Sequence, residues 1–314
     1  TDAPKVEKPQ EAIEPSMNIV SLTSSALEDY DLKVTSNANG TVTIKQGETI
    51  IARDKEIKAG EVLVQNTKLT EGTTTPFTVT FTPDTAQNLT SYNKIIKTHF
   101  VTYKNYQIDG PSIYVSPTGT ASGDGSKTNP IDVQTAIDFA RPGQTIVMLE
   151  GTYKPTSPLV ISPDNKGTAQ SPKALIAEPG KKVVIDGSNV KLGSYDASLN
   201  VDSDYWHVYG LEVTNSPMTG IRVGGNHNTV ELCSTVANKN TGLQLSRYVG
   251  AGGYDEWPSY NMILNCTSYD NKDDSENNAD GFAAKLTVGD GNVFKGCIAH
   301  NNIDDAWDLY AKAA

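Results

Sequence analysis

Three cysteines, Cys233, Cys266 and Cys297, each follow one asparagine by five residues and precede another by five, so they hold one place in a repeating unit. The units run from Asn228 through Cys233 to Asn238, from Asn261 through Cys266 to Asn271, and from Asn292 through Cys297 to Asn302. A weaker copy begins at Trp206, with Leu211 in the cysteine place and Ser216 in the second asparagine place. Each unit continues with a small residue, an apolar one, a variable one and a second apolar one, at 220–223, 242–245, 281–284 and 306–309. Short alternating segments that recur every ~20–30 residues cannot close a core singly, and they bury their apolar face by stacking. The pattern predicts a β-helix. Side chains alternate across a strand, which predicts Ile221, Leu243, Phe282 and Trp307 as one inward stack and Arg222, Gln244, Ala283 and Asp308 as an outward one. The asparagines are expected as a ladder at a turn, tolerating left-handed backbone and hydrogen-bonding locally. The cysteines are expected as a buried column.

An odd count of cysteines cannot be a fully paired disulfide framework. No histidine lies at ligand spacing from them, which argues against zinc, so they read as small buried hydrophobes. A net charge of -11 argues against nucleic acid and anionic membrane surfaces as partners. No apolar run approaches the ~18 residues of a membrane span. An anionic substrate is still compatible with this charge, provided that local positive charge or a bridging cation holds it. Abundant Thr, Asn and Gly with 20% charged residues fit a β-rich extracellular protein, and a chain that begins at Thr1 reads as a processed secretory product. A monomer is expected.

The length of 314 residues accommodates about two domains. Residues 1–16, rich in Pro, Glu and Lys, read as a flexible leader. Over 17–108, about seven alternating strands predict an immunoglobulin-like β-sandwich, with Asn39 and Gly40 as a hairpin turn between strands at 32–35 and 41–44. This domain reads as a spacer rather than a sugar-binding module, with His99, Tyr92, Tyr103 and Tyr106 as packing residues. The β-helix spans 112–314. Pro130 at a first helical position, followed by Val133, Ala136, Ile137 and Ala140, predicts a short helix that caps the open N-terminal end of the solenoid. The fold class is therefore all-β: a sandwich followed by a parallel β-helix with a short N-terminal capping helix.

Aligning the last two units puts Asp280, just before Gly281, under Asp305, just before Ala306, on rungs ~4.8 Å apart. Asp304 precedes Asp305, and Asp308 is the outward residue of the next strand, so four carboxylates converge on one edge with no basic residue expected between them. Such stacking is unfavourable unless something neutralises it. Calcium, a hard cation that takes six to eight oxygens in flexible geometry, fits best. A solvated acidic turn is the alternative. Asp273, Asp274 and Glu276, in an insertion before Gly281, read as an exposed acidic loop.

The stretch from Asn278 through Asp280 to Gly289, followed by Cys297 through Asp304, Asp305 and Asp308 to Tyr310, resembles the family 9 polysaccharide lyases, secreted pectate lyases with a right-handed parallel β-helix. The likeness covers roughly residues 112–314. It implies that Asp280, Asp304, Asp305 and Asp308 hold Ca²⁺. It also implies polygalacturonate (pectate) as the substrate, cleaved by β-elimination. The catalytic base implied is a lysine on a later rung, and that residue has no counterpart up to Ala314, so the β-helix reads as incomplete and this chain as a fragment that can keep the metal site without turnover. Lys285 and Lys312, at strand ends, are weak candidates for the base. A non-catalytic calcium-dependent polyuronate-binding module and a β-helix glycoside hydrolase with Asp304 and Asp305 as paired acids are the rival readings.

Arg222 and Arg247 read either as substrate-carboxylate ligands or as solvated side chains. Trp257, in the Gly-rich loop from Tyr248 to Tyr260, is expected either to stack on a sugar or to cover the solenoid flank. His207, His227 and His300 fall at or near turns, and nothing places them beside the aspartates as a triad.

Overall fold

The computed structural model describes residues 11–106 and 110–311. The first ten residues of the expected leader, Ile108 at the expected sandwich boundary and Lys312 lie outside the described residues. The chain divides into two compact units between Asn105 and Tyr106.

The first unit is a two-sheet sandwich, antiparallel except where Ser24–Ser25 runs parallel to Ile95–Tyr103. One sheet pairs Met17–Ile19, Asp29–Ser36 and Val62–Lys68, and the other orders Ser24–Ser25, Ile95–Tyr103, Thr73–Pro83, Gly40–Gln46 and Thr49–Ile57. Leu32, Val34, Val42, Ile44, Phe77, Val79 and Phe81, from both sheets, form its core. Asn39 and Gly40 do not make the expected hairpin, because the strands on either side of them lie in different sheets. A Cβ on Gly40 would sit 2.3 Å from the Thr82 carbonyl oxygen and 2.6 Å from the Phe81 ring, so glycine is needed here for a close crossing rather than for a left-handed turn. Tyr92 is exposed, and Tyr106 packs in the core of the second unit instead of the first.

The second unit is the solenoid. Three parallel sheets run its length, with the strand order of each following the chain. The sheet that matters below stacks Leu159–Ile161, Ala197–Val201, Thr219–Val223, Leu243–Leu245, Phe282–Ala284 and Trp307–Asp308. Its register pairs Ile221 with Leu243, Leu243 with Phe282 and Phe282 with Trp307, the inward column expected from the repeat. Phe282 and Trp307 stack with ring centroids 4.7 Å apart.

Cys233 and Cys266 are fully buried, Cys297 is half-buried, and all three are free. The asparagines form two ladders in which each side-chain oxygen accepts the backbone N–H of the rung before. Asn228 N–H donates to Asn261 Oδ1 (2.9 Å) and Asn238 N–H to Asn271 Oδ1 (3.0 Å). The asparagines of these ladders are not themselves left-handed. The positive φ falls one residue earlier, at His227, Tyr260, Ala237, Asp270 and Asn301, so the ladder's role is to satisfy backbone donors at a bend that its neighbour makes.

Helix Val133–Phe139 packs Val133, Ala136 and Ile137 into the solenoid core. It starts later than expected: Asp132 is the N-cap, its carboxylate accepting the Thr135 N–H at 2.9 Å, while Ile131 still bridges to Val115 as extended chain. Pro130 therefore lies ahead of the helix.

Candidate metal centre

The centre is built where the chain turns into the sheet that ends at Trp307–Asp308. Backbone bonds from Gly220 N–H to Thr241, Gly242 N–H to Asp280 and Gly281 N–H to Asp305 carbonyl oxygens stack Thr241, Asp280 and Asp305 in one column. A Cβ on Gly281 would come within 2.7 Å of the Ala306 carbonyl oxygen and of Asn302 Nδ2, so glycine there lets the rungs close up behind Asp280.

Asp280, Asp304 and Asp305 each present a carboxylate oxygen within 4.8 Å of the others. Asp280 is fully buried, whereas Asp304 and Asp305 are exposed. Asp280 is held from two sides: its Oδ2 accepts from Thr241 Oγ1 (2.9 Å) and Lys285 Nζ (2.7 Å), and its Oδ1 faces the Asp305 N–H at 3.4 Å. Partial loss of hydration, then the charges of Asp280 and Asp305, hold the Asp304 carboxyl above the usual carboxylate range.

Two expectations need correcting. A basic residue does stand among the carboxylates, because Lys285 folds back along its strand and its ammonium bridges Asp280 Oδ2 and Asp308 Oδ2 (3.0 Å). Asp308 is accordingly tied to the cluster through Lys285 and is not one of the three converging groups. Burial works against the charge of Asp308, but the Tyr310 N–H and Lys285 hold its carboxyl below the ordinary range. For Lys285, burial favours the neutral amine, yet hydrogen bonds and charge from Asp280 and Asp308 outweigh it and raise its pKa. An ammonium so held is not in the form that accepts a proton.

The donor set is all hard oxygen, mixes one buried and two exposed carboxylates, and contains no His or Cys. It fits calcium rather than a transition metal. Asp273 departs from the expected exposed loop: it turns inward, and hydrogen bonds from Ser275, then from Asn278, hold its carboxyl down at about 2. Asp274 and Glu276 are exposed as expected. Thr241 escaped notice in the sequence, although its place just before Gly242 aligns it with Asp280.

The outward column runs from Asn200 through Arg222, Gln244 and Ala283 to Asp308. Arg222 is neither solvated nor open to a ligand. Its side chain is 2% exposed, and its guanidinium meets both carboxylate oxygens of Asp202 (2.8 and 2.9 Å) and Asp196 (3.0 Å). Asp202→Asn is expected to destabilise the solenoid by about 2–3 kcal/mol, read as a lowered melting temperature, because it leaves a buried guanidinium short of charge. Arg247 is exposed but folds back to the Ala251 carbonyl oxygen at 3.3 Å. Trp257 is half-buried with Tyr254 packed edge-on at 5.3 Å, which favours a covering role for the loop. The histidines lie elsewhere: His207 meets Glu231 (3.0 Å), His227 stacks between Tyr205 and Tyr260, and His300 stacks on Tyr269.

Residues 113–314 match the family model described as "Pel9A-like, right handed beta helix region", and residues 18–101 match the "Pectate disaccharide-lyase central Ig-like domain". A pectate lyase L of Thermoclostridium stercorarium is 48% identical over all of this chain, which covers 25% of that protein. A pectate disaccharide-lyase of Dickeya chrysanthemi is 32% identical over 99% of this chain and 39% of its own length. The chain thus spans between a quarter and two fifths of these two relatives. Among solved structures, the crystal structure of pectate lyase Pel9A aligns with a TM-score of 0.56 and 31% identity, covering 64% of this chain and 50% of that one.

Proposed function

The chain belongs to the Pel9A-like right-handed β-helix family, the family 9 pectate lyases, and on that premise we propose that it is the calcium-binding part of an enzyme that cleaves polygalacturonate by β-elimination. The observation that carries the reading is the trio Asp280, Asp304 and Asp305, gathered within 4.8 Å at one end of a sheet in a chain of net charge -11. An acidic protein engages an acidic polymer through a shared cation.

In the reaction, the proton on C5, α to the uronate carboxylate, goes to a base. Its electron pair forms the C4–C5 double bond, the C4–oxygen bond breaks, and the departing oxygen takes up a proton. Bound calcium would supply Lewis-acid stabilisation of the charge that develops on that carboxylate. Asp280, Asp304 and Asp305 would hold the ion, with Asp308 as a fourth donor. Thr241 and the Gly281 backbone keep Asp280 in place, so the buried oxygen of the set is preorganised while the exposed pair faces the polymer. Lys285, engaged by two carboxylates, is not assigned as the base. That engagement favours one second reading, a polyuronate-binding module without turnover. Both readings place the protein outside the cell, as a monomer, on a polymer too large to enter.

The test is the near-ultraviolet absorbance of polygalacturonate at alkaline pH, with a protein containing this segment, before and after chelation. Unsaturated product that forms only with calcium is the expected result. New reducing ends without absorbance would mean hydrolysis and would overturn the proposal, and calcium-dependent binding without either would establish the binding module.

A further inference from the structure

Lys285 lies just past the strand Phe282–Ala284, yet its ammonium reaches back to the start of that strand. It shares the outward face of its strand with Ala283, whose methyl group is the only side chain between it and the turn on that face. The four-carbon stem folds back over Ala283, so the ammonium stands between two rungs, 2.7 Å from Asp280 Oδ2 and 3.0 Å from Asp308 Oδ2. We propose that Lys285 is an internal counter-cation of the metal centre, clamping Asp280 to Asp308 when no metal is bound and surrendering Asp308 to the ion when one binds. The inference rests on the calcium reading above.

The division of oxygens supports this. Asp280 turns Oδ2 toward Lys285 and Thr241, and leaves Oδ1 on the side of Asp305. Both oxygens of Asp308 are engaged away from the trio: Oδ2 accepts from Lys285, and Oδ1 accepts the Tyr310 N–H at 2.9 Å. Asp308 is held by the lysine outside the trio that converges within 4.8 Å, so joining Asp280, Asp304 and Asp305 around one ion requires it to turn toward them. An ammonium sharing a carboxylate with a divalent ion is repelled by it, and partial burial of the site strengthens that repulsion. Lysine suits the role because it is a point charge on a flexible stem that withdraws without disturbing the backbone. Its side chain is 19% exposed, so the ammonium has a route to water. Lys285 is thereby a positioning residue that sets the calcium threshold of the site.

Lys285→Met keeps the stem and removes the charge. Calorimetric titration of the 314-residue chain with calcium alone is expected to show at least about tenfold tighter binding in the variant than in the parent. Metal-free, the variant is expected to melt lower, since Asp280 and Asp308 lose their counter-charge. A purely structural lysine would lower metal-free stability and calcium affinity together; the inference requires them to move in opposite directions. Lys285→Gln serves as the second variant should Lys285→Met fail to fold, and Lys285→Arg is expected to retain the parent's affinity. Unchanged or weaker calcium binding in a folded Lys285→Met or Lys285→Gln would overturn the inference while leaving the calcium reading intact. Absence of calcium binding in parent and variants alike would overturn both.

Discussion

Asp280→Asn is expected to weaken calcium binding by this chain at least about a hundredfold and to lower its metal-free melting temperature as well, because Lys285 loses the buried half of its ion pair. Asp280 is the one fully buried member of the trio. Thr241 and Lys285 fix its orientation, so it is the donor whose position an incoming ion does not have to organise. Asparagine retains the shape. Its amide oxygen can accept from Thr241 and Lys285, but its NH₂ group then replaces Oδ1 opposite the Asp305 N–H, so that backbone contact is lost along with the buried charge. Asp304→Asn, at an exposed position, is expected to cost about tenfold. Calorimetric titration checks both, and an unchanged dissociation constant for Asp280→Asn would remove this residue from the site.

The second large effect lies far from the metal. Lys173 is 5% exposed and has no carboxylate partner among the described residues; its Nζ donates to Asn165 Oδ1 and stands 5.6 Å from the Trp206 ring centroid. Burial pulls its pKa down from 10.5 to about 7. Unfolded chains therefore hold this proton up to the ordinary lysine value, while the folded chain gives it up near neutrality. Between those two values the unfolded state binds more protons, so stability rises with pH across the window, by at most about 5 kcal/mol. Lys173→Met removes the penalty at neutral pH but forfeits the bond to Asn165, for a net gain of about 2–4 kcal/mol near pH 6–7 that fades as pH approaches 10.5. Denaturant titrations of parent and variant at pH 7 and pH 10 check this; a difference that is the same at both would show that Lys173 folds with its charge.

Parallel in-register stacking is why so much of the solenoid was legible in the sequence. When rung follows rung, an offset along the chain becomes a position in space, so the columns of Ile221, Leu243, Phe282 and Trp307 and of Asp280 above Asp305 follow from counting. What the period does not contain was not legible. The burial of Arg222 depends on Asp196 and Asp202, one of them in a connection that no repeat constrains. The fold-back of Lys285 depends on a flexible stem and a small neighbour at Ala283. At Asn39 and Gly40 the dipeptide signals a tight turn, but the next strand finds its partners in the other sheet, and tertiary pairing overrides the local signal. The inward turn of Asp273 is set by Ser275 and Asn278, hydrogen bonds within an insertion that interrupts the repeat.

The measurement that tests the account most directly is the mobility of this chain in a gel containing polygalacturonate, with calcium, with chelator, and with the Asp280→Asn variant. The account predicts retardation that requires calcium and is lost in the variant. Retardation that survives chelation, or that Asp280→Asn leaves unchanged, would contradict the claim that a cation held by Asp280, Asp304 and Asp305 joins this protein to its polymer.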